Sequence, residues 1–303
     1  MARRTFNEEM ARNRRDSVLL VIVVSLILFG LILSIGYIYD PEALMVIVPV
    51  GVIIVVIYTW TSYSYGDQIV LSSVHAVPAE GPQFQYLRDT VEGLAIAAGI
   101  PPPKVYVMDS ADLNAFATGK DPKKASICVT TGLLSTMNRQ ELEGVVAHEM
   151  SHIRNRDVEF MTLVAVLVGL IAIISHIILR NMWFSGRSRR SRDRDRGGAG
   201  IEVVILLVGL ILAIIAPIVT RLVQLAVSRR REFLADASGA EMTRYPEGLA
   251  SALEKINSLN SGKMDVDEAV SHLFISDPVH SPLDHIYSTH PPLEERIKRL
   301  REM

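Results

Sequence analysis

The sequence has a single cysteine, Cys128, among its 303 residues, so it contains no internal disulfide and no cysteine-rich metal site. Any metal ion must therefore be bound by histidine and carboxylate side chains. The net charge is also small, −2 at neutral pH, which excludes a globally basic protein that coats nucleic acid. No phosphate-binding loop motif is present, and we predict neither a nucleic-acid nor a nucleotide partner.

Charge is missing from long stretches of the chain, and these stretches are apolar. The run from Val18 to Ile38 carries no charged residue and is long enough to cross about 30 Å of hydrocarbon. A second run starts at Ala43 and ends near Tyr63, after a connection of only a few residues, which favours a membrane hairpin over a cleaved signal peptide. It ends in aromatic residues of the kind that gather at a membrane interface: Tyr58, Trp60, Tyr63 and Tyr65.

Two further apolar runs, Phe160 to Leu179 and Ile201 to Val219, flank an arginine-rich segment at 184–200. The basic N-terminal head predicts a cytoplasmic N-terminus, so the chain after Gly66 is expected in the cytoplasm. The same rule disfavours an arginine-rich loop outside, and two interpretations stay open: two full crossings, or an embedded hairpin. Both return the chain to the same side. We interpret the arginine-rich segment as a solvated linker, with anionic lipid or nucleic acid as alternative contacts.

A His-Glu-x-x-His motif is formed by His148, Glu149 and His152. Asn138 and Glu141 make a capping box before it, which predicts that the motif lies on a helix. Positions four apart share a helical face, so both imidazoles point to one place. Two imidazoles and one more ligand suffice for a tetrahedral zinc that leaves a position for water, with Glu149 as general base of peptide hydrolysis. The alternative is a chance match formed by two hydrogen-bonded core histidines.

The third ligand is expected in the helical segment from Arg221 to Met242, which carries Glu232 and Asp236 one turn apart. Such a pair is more often a solvated helix face. Here, however, the segment returns from the hairpin that begins just after His152, so it reaches the same region above the membrane. Glu232 is the candidate ligand, and Asp236 is expected to accept a hydrogen bond from a ligand imidazole and fix its tautomer.

The remaining sequence has the pattern of a soluble α+β unit. Tyr86 to Ala98 has helical spacing, whereas Lys104 to Met108 and Ala125 to Thr130 are typical of strands. The tail from Pro246 to Met303 is predicted to be helical at both ends. The predicted divisions are a transmembrane hairpin at 1–66, a first catalytic part at 67–157, a second membrane hairpin at 158–224 and a second catalytic part at 225–303.

The N-terminal hairpin and five motifs together make the chain similar to the HtpX-type membrane zinc metalloproteases, relatives of the CAAX prenyl proteases. The resemblance covers most of the chain. The motifs are Asn-Ala-Phe-Ala-Thr-Gly at 114–119, Thr-Thr-Gly-Leu-Leu at 130–134, the His-Glu-x-x-His, Glu232 with Asp236, and Ser-Thr-His-Pro-Pro-Leu-Glu-Glu-Arg-Ile at 288–297.

The resemblance implies a gluzincin-type endopeptidase with one zinc per chain, acting on polypeptides in the quality control of membrane proteins. It assigns His148, His152 and Glu232 to zinc, Glu149 to the role of general base, and Asp236 to the support of the ligands. Other roles rest on the resemblance alone. His290 would help to stabilise the oxyanion, and a cleft that pairs with an extended substrate would be lined by Asn114, Ala115, Phe116, Ala117 and Ile127.

We therefore predict a mainly helical α+β protein with about four transmembrane helices, embedded in the cell membrane, and a cytoplasmic zincin-type metalloprotease domain. An intramembrane-cleaving protease is disfavoured because charged residues surround the motif. A membrane scaffold or metal-binding protein without hydrolysis is the alternative from another class. No role is assigned to His176, His272, His280 or His285. The last three lie in the tail and are expected at the surface or at helix caps.

Overall fold

The computed structural model describes residues 44–167, 169, 229–278 and 291–303, together with scattered residues between 15 and 42. Several predictions fall outside this described part. They concern the apolar runs beyond residue 169, the arginine-rich segment, and the histidines at 176, 280, 285 and 290.

Two helices come first in the described chain. Residues 17–19, 21–26, 28–30 and 32–33 belong to α1, and α2 spans Leu44–Ser73. The hydroxyl oxygens of Ser25 and Thr59 lie 3.0 Å apart, so the two helices are in contact. Within the described residues, α2 is the one helix long and apolar enough to cross a membrane. The helix extends beyond the predicted apolar run, which ends near Tyr63, and continues to Ser73 through an irregular backbone position at Tyr65.

A mixed four-stranded sheet follows. Its strands are β1 (Val77–Pro78), β2 (Lys104–Met108), β3 (Ala115–Gly119) and β4 (Ala125–Thr130), in the order β1-β2-β4-β3. Only β2 and β4 are parallel. Helix α3 (Gln85–Ala98) connects β1 to β2, and its apolar face is buried. The predictions of α3, β2 and β4 are confirmed.

The remaining helices are α4 (Thr131–Thr136), α5 (Arg139–Arg154), α6 (described at 157–167 and 169), α7 (Arg229–Thr243), α8 (Pro246–Leu259), α9 (Glu268–Ser271) and α10 (Leu293–Arg301). The predicted capping box of α5 is confirmed: Asn138 Oδ1 accepts from the Glu141 amide at 3.0 Å, and Glu141 Oε2 accepts from the Asn138 amide at 2.8 Å. Lys255 of α8 donates to the same Glu141 oxygen at 2.7 Å, which ties the start of α5 to the tail.

Helix α5 is at the centre of the larger core cluster, and two glycines allow other helices to approach it. A Cβ added at Gly144 would lie 2.6 Å from the Leu249 amide nitrogen of α8. A Cβ added at Gly239 of α7 would lie 3.1 Å from the amide nitrogen of His148. A larger side chain at either position would push one helix away, so these contacts set the distance between α5 and the tail helices.

One tail histidine, His272, lies at a helix cap, one of the two predicted places, but not at the surface. His272 is fully buried rather than at the surface, because it packs under α6 and its Nε2 lies 3.1 Å from the carbonyl oxygen of Met161. Its backbone does cap α9. The buried ring joins the tail to the helix that leaves the catalytic motif, a long-range contact that the spacing of the histidines did not indicate.

Candidate metal centre

The two motif histidines converge as their spacing predicts. His148 and His152 lie on the same buried face of α5, and their Nε2 atoms are 3.2 Å apart. Glu232 enters from the first turn of α7, with its carboxylate oxygens 3.6 Å from Nε2 of His148 and 3.5 Å from Nε2 of His152. All three residues are at most 4% exposed. The structure therefore brings together one carboxylate and two imidazoles from helices far apart in sequence.

These three residues could hold a metal ion, since their ligand atoms all lie within 4.8 Å of one another. A tetrahedral zinc with bonds of about 2.0–2.1 Å holds its ligand atoms about 3.3–3.4 Å apart. The observed separations are near that value: 3.2 Å between the two Nε2 atoms, 3.5 Å from His152 to Glu232 Oε1, and 3.6 Å from His148 to the other oxygen, Glu232 Oε2. A donor set of two histidines and one glutamate is also the set found in thermolysin-type catalytic zinc sites, where water takes the fourth position.

Each histidine has a carboxylate behind it. Nδ1 of His148 lies 3.0 Å from Asp236 Oδ1, and Nδ1 of His152 lies 3.1 Å from Asp157 Oδ2. A proton on each Nδ1 is thereby held by a carboxylate, which leaves the Nε2 lone pairs directed to the shared point. Arg156, in the left-handed region at φ 60°, makes the tight turn between α5 and α6 that returns Asp157 to His152.

Arg296 of α10 closes the back of the centre and is completely buried. Its Nε and Nη2 donate to the two carboxylate oxygens of Asp236 at 2.9 and 2.7 Å, and its Nη1 donates to the carbonyl oxygen of Ile275 at 3.1 Å. Nη1 also lies 3.4 Å from Glu232. Because a buried carboxylate is costly without a paired cation, Arg296 stabilises the charged state of both acids. It also links the metal centre to the segment around Ile275.

The electrostatics of the centre follow from burial and from these pairs. Burial and the charge of Arg296 act to lower the pKa of His148, but contacts with Asp236 and Glu232 outweigh them and raise that pKa to about 9. Metal binding must therefore displace a proton from His148 at neutral pH. Burial raises the pKa of Glu149, and the neighbouring histidines oppose this only in part. A raised pKa suits a group that accepts a proton and later returns it.

The residues expected to line a substrate cleft lie in β3, directly before it at Asn114, and in β4, and all are buried. Asn114, Ala115, Phe116 and Ala117 are at most 3% exposed, and Ile127 lies in β4, between β2 and β3. The outer side of β3 is paired with another part of the same chain. Phe116 and Phe274 form an antiparallel bridge, and the Ile275 amide donates to the Ala115 carbonyl at 2.9 Å. The two phenylalanine rings pack edge to face, 4.9 Å between centroids.

Asn114 fixes this pairing at its end. Its Nδ2 donates to the Ser276 carbonyl at 2.9 Å, and its Oδ1 accepts from the Ser276 amide at 3.4 Å. Residues 274–276, which we call the edge segment, therefore occupy the antiparallel position beside β3. Since Ile275 also accepts from Arg296, the edge segment lies directly against the metal centre.

Sequence reasoning missed two residues of this centre, Asp157 and Arg296. Asp157 is one of the charged residues around the motif, which were used only to disfavour an intramembrane protease. Arg296 was part of a quoted motif, but no role was given to it. One signal was available: Arg296 stands three residues after Leu293 and four before Leu300, on the apolar stripe of α10. An arginine within a buried stripe indicates a buried acidic partner.

A helix-borne His-Glu-x-x-His joined by a glutamate from a second helix is the arrangement of a metalloprotease. Comparison with known proteins gives the family. The chain belongs to peptidase family M48, whose family model matches residues 82–303. The matched part begins after α2 and contains every residue of the centre.

Curated relatives extend the match to the whole chain. The chain is 49% identical to a protease HtpX homolog of Caldanaerobacter subterraneus, over 100% of this chain and 99% of that protein. It is 48% identical to one of Thermoanaerobacter pseudethanolicus, with the same coverage. Among solved structures, S. mikatae Ste24p aligns with 97% of this chain and 66% of its own length, at 22% identity and a TM-score of 0.47. The protein is thus an HtpX-type M48 metalloprotease that uses a divalent metal.

Proposed function

We propose that the protein is a membrane-anchored zinc endopeptidase that hydrolyses peptide bonds of misfolded or damaged membrane proteins at the cytoplasmic face. The observation that supports this best is the convergence of His148, His152 and Glu232, each within 3.6 Å of another, beside the buried Glu149. Family membership and the apolar helix α2 support a membrane protein that takes polypeptide substrates. The metal, one zinc per chain, is part of the proposal.

In this proposal the chain's own residues divide the chemistry among themselves. Bound zinc supplies a Lewis acid and lowers the pKa of water to about 7. Glu149 accepts the proton of the attacking water and delivers it to the leaving amine. Asp236 and Asp157 hold the imidazoles in position, and Arg296 keeps Asp236 charged. His290 is proposed to assist the oxyanion, on the resemblance of its motif alone.

The domain organisation is proposed from the same contacts. The first catalytic part, 67–157, supplies α5, whereas the second, 225–303, supplies α7 and α10. The segment 158–224 between them is proposed to be a membrane hairpin that brings the two parts together. The first hairpin, 1–66, is proposed to cross the membrane twice. A protease of this size with no predicted nucleotide partner would act on flexible, exposed segments.

The substrate is proposed to bind as an extended strand beside β3, within reach of Asn114 to Ala117. Antiparallel addition to a sheet edge supplies main-chain hydrogen bonds that do not depend on sequence. In the structure the edge segment takes that position and the metal ligands are buried, so binding requires the edge segment to withdraw. In this proposal the edge segment moves away as a unit, because the contacts with Asn114 and with Arg296 involve adjacent residues and must break together.

Metal content and casein cleavage of the detergent-purified protein test the proposed chemistry. We expect about one zinc per chain and cleavage for the intact sequence. Glu149→Gln should keep the zinc and lose cleavage, because the amide cannot accept the proton. Glu232→Ala should lose zinc and activity together. Glu143→Gln, a more exposed glutamate on the same helix, is the matched control and should cleave normally.

The outcomes separate the competing functions. Zinc binding with cleavage retained in Glu149→Gln would refute the mechanism. The non-proteolytic scaffold would be favoured by two results together. The intact protein would bind zinc without cleaving, and the Glu149→Gln variant would keep normal membrane function.

A parallel pair of variants tests the role of His290. His290→Ala should keep zinc and KM but lower kcat about 10²-fold or more, as expected for a lost oxyanion contact. His285→Ala is the neighbouring control and should behave like the intact protein. Equal kcat in both variants would remove His290 from the mechanism.

A further inference from the structure

The turn that joins β3 to β4 carries three lysines, Lys120, Lys123 and Lys124. Lys123 and Lys124 are exposed and Lys120 is partly exposed. Asp121, the acidic residue among them, accepts hydrogen bonds from the amides of Lys123 and Lys124 at 2.8 and 3.1 Å. Its carboxylate is therefore used to shape the turn. The tip of this hairpin presents a compact basic surface.

The hairpin tip is fixed against α2 near Tyr63, where the apolar part of that helix ends. Lys120 Nζ lies 5.1 Å from the centre of the Tyr63 ring, a cation–π contact. The Gly119 amide donates to Thr162 Oγ1 of α6 at 3.0 Å, and that oxygen lies 3.0 Å from Thr118 Oγ1. A Cβ added at Gly66 would lie 3.1 Å from Thr162 as well. The tip of the sheet, α2 and α6 thus meet at one level of the molecule.

That level is marked by exposed aromatic rings. Trp60, Tyr63 and Tyr65 are 61%, 43% and 43% exposed and follow directly on the apolar part of α2. Tryptophan and tyrosine are enriched where hydrocarbon gives way to phospholipid headgroups. The lysines of the hairpin tip therefore lie at headgroup depth if α2 is inserted in a bilayer.

A second basic group reaches the same end of the molecule. The described part of α7 starts with Arg229, Arg230 and Arg231, and the guanidinium of Arg231 lies 5.7 Å from the centre of the Phe160 ring on α6. Phe160 precedes the hairpin contact Thr162 by two residues. The described carboxylates of this region are Asp67 and the buried Glu159 beside Lys120, Asp121 in the turn itself, and Asp267 beside Tyr58 of α2. Six cationic side chains outnumber them, so the surface is net positive.

We infer that these six residues, Lys120, Lys123, Lys124 and Arg229 to Arg231, form a basic rim that binds the headgroups of anionic phospholipids. The inference rests on the proposed membrane location and extends it. Basic residues close to a bilayer are attracted to its anionic lipids, and this attraction is screened by salt. The hairpin tip joins the end of β3 to the start of β4. A basic rim bound to lipid headgroups therefore holds the proposed substrate edge at the membrane surface.

Spectroscopy on the full-length protein in bilayers tests this without any need for protease activity. Pro122→Cys in a Cys128→Ala background places one bimane label at the hairpin tip. The protein is reconstituted into phosphatidylcholine alone or with about 30 mol % phosphatidylglycerol, with a spin label at the lipid headgroup as quencher. Vesicle flotation first establishes that the protein is inserted.

We expect quenching to rise about twofold with phosphatidylglycerol and to return to the lower value in about 0.5 M salt. Lys123→Gln with Lys124→Gln should abolish most of the rise. Arg139→Gln with Lys298→Gln removes two cations from side chains that are 76% and 75% exposed elsewhere, and should leave the rise intact.

Equal quenching in both lipid mixtures, or an equal loss in both double variants, would overturn the inference. Failure of the protein to float with the vesicles would overturn it too, together with the proposed membrane location. If the inserted protein shows the lipid-dependent rise but cleaves nothing, the rim stands and the proposed protease chemistry fails.

Discussion

Each of the two ligand imidazoles is held by its own carboxylate, and one of the two carboxylates, Asp236, is also paired with a buried arginine. Asp157 contacts His152, whereas Asp236 contacts His148 and also receives two hydrogen bonds from Arg296. Loss of Asp157 should therefore affect one ligand only. Loss of the Asp236 charge affects His148 and also leaves the buried guanidinium of Arg296 with a weaker partner.

We expect Asp157→Asn to lower zinc affinity about 10- to 100-fold while the protein stays folded, because carboxylates behind metal-bound histidines have effects of this size. Asp236→Asn should lower it by at least as much and also reduce the thermal stability of the metal-free protein. Competition with a chromophoric chelator measures the affinity. Asp89→Asn, which changes an exposed carboxylate of α3, is the control. Unchanged affinity in Asp157→Asn would show that its contact does not orient His152.

At this scale the sequence predicts residues that act through local spacing. His148 and His152 are four apart on a capped helix, and so are Glu232 and Asp236, which made each pair recognisable. Arg296 acts through tertiary contacts with Asp236 and Ile275, and local spacing does not encode which partner an arginine meets.

At the scale of elements, the edge segment beside β3 determines access to the centre. Phe116 and Phe274 face each other as a non-hydrogen-bonded antiparallel pair, since the Ile275 amide bonds to the preceding residue of β3. The Cα atoms of such pairs are about 4.5 Å apart, within the range that a disulfide spans. A covalent lock of the edge segment is therefore feasible.

We expect the Phe116→Cys, Phe274→Cys protein, in a Cys128→Ala background, to keep its zinc but lose casein cleavage when oxidised. Adding reductant to the oxidised sample should restore cleavage to the rate of the variant that was never oxidised. Oxidised and reduced samples carry the same substitutions, so the loss of two rings cancels in the comparison. Replacing Cys128, which lies opposite Phe116 in β4, prevents the wrong pairing. Equal cleavage in both states would mean that substrates do not need this edge.

The elements predicted from sequence were those with a strong local pattern. Helix α3 has a clear apolar face, and β2 and β4 are rich in β-branched residues. Strand β3 reads Ala-Phe-Ala-Thr-Gly, with two alanines and a glycine that disfavour a strand, and all five residues are buried. Its conformation comes from pairing with β4 on one side and with the edge segment on the other, and no local signal carries that information.

For the molecule as a whole, the metal ligands come from two distant parts of the chain. Helix α5 supplies two, and α7 supplies the third after a long intervening segment. Sequence reasoning predicted this convergence because both helices begin or end at the same proposed hairpin. It did not predict that the last helix, α10, closes the centre through Arg296, since a terminal segment has no such geometric constraint.

A metal bound across α5 and α7 must stabilise the assembled fold, because the unfolded chain does not hold the three ligands together. At free zinc about 100-fold above its dissociation constant, the expected gain in the free energy of unfolding is about 2.7 kcal/mol. Chelation should therefore lower the melting temperature of the detergent-purified protein, and added zinc should restore it. The melting temperature of the Glu232→Ala protein should be the same with and without zinc. The melting temperature of the Asp89→Asn protein should rise with zinc as that of the intact chain does. An intact chain that binds zinc in dialysis but melts identically with chelator would place the metal outside this pair of helices.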